Sequence, residues 1–149
     1  MRFKTFALLF AVFHSMNMYA DNIRITVEIT GVNMNSGSVH VEIYTNEQDH
    51  KREIPFASFV LESRNSTLVY EIDLPQGDCL IWAYQDTNSN GRLDTGFFGI
   101  PNEPIGLTNY NGRGIPGKFN RHKVPVNSST CNEVSSTRRI AINLGVIRL

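Results

Sequence analysis

Charged side chains are sparse in this chain, and neither sign is in excess. Charged residues make up 19% of the 149 positions, with 14 Lys+Arg against 14 Asp+Glu, so the formal net charge is zero. Nucleic-acid-binding proteins usually carry an excess of basic residues, so the balanced charge argues against nucleic acid as a partner. The length allows one domain with a substantial core.

Recognisable catalytic motifs are also missing. The sequence contains no G-x-S-x-G, no H-E-x-x-H and no glycine loop of the kind that cradles phosphate before a helix. Past the N-terminal segment, the histidines are His40, His50 and His122, and none lies inside a nucleophile motif. These absences favour a non-catalytic protein.

No apolar run approaches the roughly 20 residues that cross a bilayer. The longest apolar N-terminal run, residues 6–13, follows Arg2 and Lys4 and is followed by a short polar stretch that ends at Ala20. This order is typical of a secretory signal peptide, predicted over residues 1–20, and a retained membrane-proximal anchor is the alternative. We therefore expect a mature domain over residues 21–149, periplasmic or secreted, without a transmembrane segment.

Cysteine is scarce, with only Cys79 and Cys131 in the chain. In an oxidising compartment an isolated pair predicts a disulfide, which would stabilise by roughly 4 kcal/mol through a loop of about 50 residues. Two unpaired buried thiols are the alternative. A zinc site is not expected, because no pair of histidines lies near the cysteines.

Short segments of alternating apolar and polar residues dominate the rest. They predict strands, with the first two joined as a hairpin, at residues 23–30, 39–44, 56–61, 68–74, 79–84, 119–126 and 140–146. Residues 45–55 are polar and predict a loop, and residues 95–117 form a long loop rich in Gly and Pro. No segment has a convincing 3.6-residue period. We therefore expect an all-β fold, an antiparallel β-sandwich of about seven strands.

Residues 86–94 carry the most specific chemistry. Oxygen donors recur at alternate positions, namely Asp86, Asn88, Asn90, the Arg92 carbonyl and Asp94, with Gly91 at the turn. This spacing is typical of a calcium loop, because calcium takes about 6–8 oxygens and the glycine permits a sharp turn. Phe97 stands where an EF-hand has its last glutamate, and Glu103 is the nearest later carboxylate. A calcium-free loop of Asx turns is the alternative.

Residues 74–126 resemble an exported bacterial family known as domain of unknown function 2141. The resemblance is carried by Pro75-Gln76-Gly77, the apolar strand at 80–84, the loop at 86–94, Gly99-Ile100-Pro101-Asn102-Glu103 and Gly106-Leu107-Thr108-Asn109. It implies a transthyretin-like or immunoglobulin-like sandwich outside the cytoplasm, with no established enzymatic activity. The resemblance also favours Glu103 as the remaining calcium ligand. Cys79 replaces the aromatic residue usual after Pro-x-Gly, so a disulfide would be a local feature, and residues 117–121 match the family pattern only loosely.

Three functions follow as hypotheses. The first is a calcium-dependent binding module for a cell-surface glycan or an envelope protein, with Asn109, Tyr110 and Asn111 as the binding surface. The alternative is that these three are ordinary turn residues and that the tyrosine packs against the protein. The second is a structural envelope domain in which calcium stiffens the loop. The third is a carbohydrate-active hydrolase that uses Asp86, Asp94 and Glu103 as acids.

Overall fold

A computed structural model describes residues 22–127 and 138–147. The predicted signal peptide at residues 1–20 and Cys131 lie outside these residues, so the export signal and the disulfide remain predictions. The elements, in chain order, are β1 (Asn22–Thr30), β2 (Ser38–Tyr44), α1 (Glu47–Lys51), β3 (Ala57–Glu62), β4 (Thr67–Pro75), β5 (Gly77–Asp86), a 3-10 turn (Phe97–Gly99), β6 (Ile105–Leu107), α2 (Phe119–His122), β7 (Val124–Val126) and β8 (Arg138–Asn143). The two α-helices, of five and four residues, fall far short of a membrane span in the part of the chain described.

The described strands form two sheets. One has the order β4-β1-β8, and the other has the order β3-β2-β5-β6, with β7 also paired to β5. Alternate residues of β1 and β2 are buried because each strand turns one face inward. The inner faces meet in one apolar core, to which β1 contributes Ile25, Val27 and Ile29. The predicted all-β sandwich is confirmed, with eight strands in the described residues.

The predicted hairpin between the first two strands is wrong, because β1 and β2 belong to different sheets. The connection crosses the sandwich at Gly31 and Gly37, whose φ angles are +74° and +69°. A Cβ on Gly37 would lie 1.7 Å from the Asp86 carbonyl oxygen, so only glycine fits there. The buried Gln85 amide anchors the crossing, since its Nε2 donates to the carbonyls of Asn33 at 2.7 Å and Ser36 at 2.8 Å.

Two short helices lie where the sequence predicted a loop and the start of a strand. Helix α1 lies inside the predicted loop at 45–55, where the Asn46 side chain accepts from the Asp49 N–H at 2.9 Å and caps the helix. Helix α2 occupies the start of the predicted strand at 119–126, and only the remainder forms β7. Its single turn buries both Phe119 and His122, which are three positions apart.

One strand pair departs from the antiparallel expectation. Strand β8 runs parallel to β1, with Val27 opposite Ile140, whereas the other named strand pairs are antiparallel. The parallel pair places the last described strand at the edge of the smaller sheet.

Candidate metal site

The loop at residues 86–94 begins at the last residue of β5. Asp86 is buried, and its carboxylate turns back over the loop. Oδ1 accepts from the Asn90 N–H at 3.1 Å and Oδ2 accepts from the Gly91 N–H at 2.7 Å. The carboxylate therefore holds the loop closed around its own side chain.

Two asparagines form successive Asx turns inside the loop. Asn88 Oδ1 accepts from the Asn90 N–H at 3.1 Å, and Asn90 Oδ1 accepts from the Arg92 N–H at 3.0 Å. Gly91 has φ of +81°, which glycine adopts without steric cost. The predicted spacing thus produces a tight turn in which the alternate side chains fold onto the backbone.

Asp94 closes the loop on its other side. Its Oδ2 accepts from Asn88 Nδ2 at 2.6 Å and from Asn90 Nδ2 at 2.8 Å. These two hydrogen bonds, first from Asn88 and then from Asn90, hold the pKa of the Asp94 carboxyl below its usual value. The Arg92 guanidinium, whose Nε lies 3.4 Å from Asp94 Oδ1, also lowers the pKa of the Asp94 carboxyl.

Glu103 joins the two ends of the loop. It is buried, and its Oε1 accepts from the Thr87 N–H at 2.7 Å and from the Thr87 hydroxyl at 3.1 Å. Its Oε2 accepts from the Asp94 N–H at 3.1 Å. The Asn102 N–H also donates to the Asp94 carbonyl at 2.9 Å, which brings Glu103 beside the loop. Sequence reasoning suggested Glu103 as an ion ligand but missed this cross-linking role.

The oxygens of the loop can be compared with the ligands that a metal ion requires. Within residues 22–127 and 138–147, no three His, Cys, Asp or Glu side chains form a group that could hold a metal ion. A calcium ion would therefore depend on the asparagine oxygens as well as on the carboxylates. Both Asp86 oxygens and the Oδ1 atoms of Asn88 and Asn90 accept one hydrogen bond each and keep a second lone pair, whereas Asp94 Oδ2 already accepts two. These are hard oxygen donors of the kind that calcium takes. Binding would require the Asn88 and Asn90 NH₂ groups to turn away from Asp94.

The second predicted surface is a turn region beside α2. Asn109 Nδ2 donates to the Lys123 carbonyl at 2.8 Å, and the half-buried Tyr110 hydroxyl donates to the Gly114 carbonyl at 2.5 Å. Asn111 Oδ1 accepts from the Arg113 N–H at 3.1 Å. All three side chains also line a cavity of about 410 Å³. Internal hydrogen bonds explain their orientation, and ligand binding at this surface remains a prediction.

Comparison with known proteins gives a family. Residues 27–133 match the model of a family described as "Uncharacterized protein conserved in bacteria (DUF2141)". The chain belongs to this family. The match includes every segment that carried the resemblance, from Pro75 to Asn109, and the DUF2141 description gives no activity. No curated protein and no solved structure matches the chain.

Proposed function

We propose that this DUF2141 protein is an exported, non-catalytic β-sandwich module whose loop at residues 86–94 binds calcium. The side chains of Asp86, Asn88, Asn90 and Asp94 and the carbonyl of Arg92 would supply oxygens, with Glu103 as a further candidate. The ion would hold the loop rigid beside the outer face of the larger sheet. The partner of such a module would be a cell-surface glycan or an envelope protein.

The observation that carries this proposal is the folding of the loop around alternate oxygens. Asp86 binds two loop N–H groups, and each asparagine completes an Asx turn, so the side chains with calcium-loop spacing already share one network. Weak affinity is expected, at about 10⁻⁴–10⁻³ M, because few carboxylates contribute.

The same contacts weigh against acid catalysis by these carboxylates. The oxygens of Asp86 and Glu103 accept from backbone N–H groups of the loop. The pKa of Asp94 is lowered by its hydrogen bonds to Asn88 and Asn90, which disfavours the protonated form that a general acid needs. Ion binding uses these groups in their charged state, so we favour it over a glycoside hydrolase.

Calorimetric titration of residues 21–149 with calcium, together with thermal unfolding in calcium and in chelator, tests the proposal. Calcium at 100 times its Kd should stabilise the fold by about 2.7 kcal/mol. Asp86→Ala should abolish this gain, but it also removes two partly buried hydrogen bonds. Asp94→Asn is therefore the cleaner variant, since it removes one charge from a partly exposed side chain.

The matched control is Glu71→Gln, which removes one exposed carboxylate from β4 in the other sheet. This variant should retain the full calcium response. Equal unfolding temperatures for the parent protein in chelator and in about 10–100 mM calcium, which is 100 times the expected Kd, with no heat of binding, would overturn the calcium proposal.

A further inference from the structure

A cavity of about 310 Å³ opens on the outer face of the larger sheet, away from the loop at 86–94. Its lining consists of Glu42, Tyr44, His50, Glu53 and Trp82. Glu42 on β2 lies directly opposite Trp82 on β5, so the two strands form its floor. His50 belongs to α1, and Glu53 follows that helix, so the end of α1 forms its wall.

Three rings surround this cavity. The Tyr44 and His50 rings meet edge to face with their centroids 5.0 Å apart. Trp82 is half-buried and packs against the apolar cluster that contains Tyr44, Leu80 and Phe119. These contacts fix the rings in place, so the cavity has preformed aromatic walls.

The cavity is negatively charged. Among the described residues, its lining contains two carboxylates and no Lys or Arg. Glu42 Oε2 accepts from the Tyr44 hydroxyl at 2.6 Å, whereas the Glu53 carboxylate has no hydrogen-bond donor or ion-pair partner among the described residues. Burial lowers the pKa of His50, so its ring is largely neutral at pH 7. Two bases lie at the end of α1: Lys51 pairs with Glu47 at 2.8 Å, and the exposed Arg52, which immediately precedes Glu53, does not line the cavity.

The backbone conformation at Glu53 is unusual for a residue with a side chain. Its φ is +55°, and the Ile54 N–H donates to the Asp49 carbonyl at 3.0 Å, which is the hydrogen-bond pattern of a Schellman helix end. Glycine is usual at such a position because a side chain disfavours this conformation. A glutamate here places a carboxylate at the rim of the cavity in spite of that conformational cost.

We propose that this cavity binds the ammonium group of a small organic cation. Aromatic rings attract a cation through their negative faces, and the two carboxylates add charge complementarity. An anion would be repelled, and a neutral ligand would lack the charge attraction that a cation gains from the two carboxylates. The volume is at the lower end of the range for small-molecule sites, so the ligand is small. This inference is independent of the calcium loop.

Trp82 is the only tryptophan in the chain, so its fluorescence reports directly on the cavity. Residues 21–149 would be titrated with choline and with n-butylammonium, each at constant ionic strength and with chelator present. The neutral analogue of choline, 3,3-dimethylbutan-1-ol, serves as the matched ligand control. We expect a saturable change in fluorescence with at least one of the two cations, and none with the alcohol.

Variants test the role of the carboxylates. Glu53→Gln changes an exposed side chain and should weaken cation binding between about two- and fivefold. The double variant Glu42→Gln/Glu53→Gln should weaken it further, whereas Glu71→Gln on β4 should leave it unchanged. The proposal is overturned if neither cation gives a saturable response, if the alcohol matches them, or if Glu53→Gln binds as the parent does.

Discussion

Replacing Glu103 with glutamine tests how the candidate loop is held in place. Three donors converge on this buried carboxylate: the Thr87 N–H, the Thr87 hydroxyl and the Asp94 N–H. An amide keeps one acceptor oxygen but turns an NH₂ group toward a backbone donor. A hydrogen bond to a charged group contributes about 1.5–3 kcal/mol, and an unsatisfied buried donor costs about 1–3 kcal/mol. Removal of a buried charge offsets part of this loss.

The net destabilisation expected for Glu103→Gln is therefore about 2 kcal/mol, which lowers the unfolding temperature by roughly 7 °C for a domain of this size. Thermal unfolding in chelator measures this effect without any contribution from calcium. Glu71→Gln is the control and should unfold with the parent protein. A shift below about 2 °C for Glu103→Gln, which is within the range of surface substitutions, would refute the cross-linking role.

The same variant separates two roles of Glu103 when calcium is added. If Glu103 is an ion ligand, the calcium-dependent gain in stability should fall sharply in Glu103→Gln. If it only joins Thr87 to Asp94, calcium should still raise the unfolding temperature of the variant. Comparison of the two calcium responses therefore decides which role Glu103 has.

Two further predictions concern pH and the cysteines. The folded-state pKa of Asp94 is lowered, so its stabilisation is complete above its unfolded pKa of about 3.9 and is lost as pH falls through the folded value. In chelator, the stability difference between the parent and Asp94→Asn should therefore shrink from about pH 5 to pH 3, as measured by chemical denaturation, and a constant difference would contradict this. We expect the predicted disulfide between Cys79 and Cys131 to block alkylation of both residues in denaturant until reductant is added. Alkylation without reductant, measured by mass spectrometry, would show that the pair is not bonded.

Local patterns predicted most of the strands. The alternation of Ile25, Val27 and Ile29 with polar neighbours reports directly which face of β1 is buried. Helix α1 escaped prediction because none of its residues is buried, so it has no apolar period to detect. Its signals were the Asn46 cap and the Glu47–Lys51 pair, which are weaker than a pattern of burial.

Long-range arrangement was harder to predict. The alternation in β1 and β2 fits a hairpin as well as two facing sheets, because each strand buries one face in either case. The two arrangements differ in which distant strands pair, since β1 pairs with β4 and β2 pairs with β5. The close approach of Gly37 to Asp86, which goes with this pairing, spans 49 residues along the chain, as does the Gln85–Ser36 hydrogen bond beside it. The loop spacing at 86–94 was local and therefore visible, whereas the contacts of Glu103 depend on how the next segment folds back.

The parallel pair of β1 and β8 has a consequence for synthesis of the protein. The Thr30 hydroxyl donates to the Asn143 side chain at 3.1 Å across a separation of 113 residues. One edge of β1 therefore stays uncovered until residues 138–143 have been made, and such distant pairings form slowly. A nascent or truncated chain that lacks β8 would expose this edge to other molecules and would be prone to aggregate.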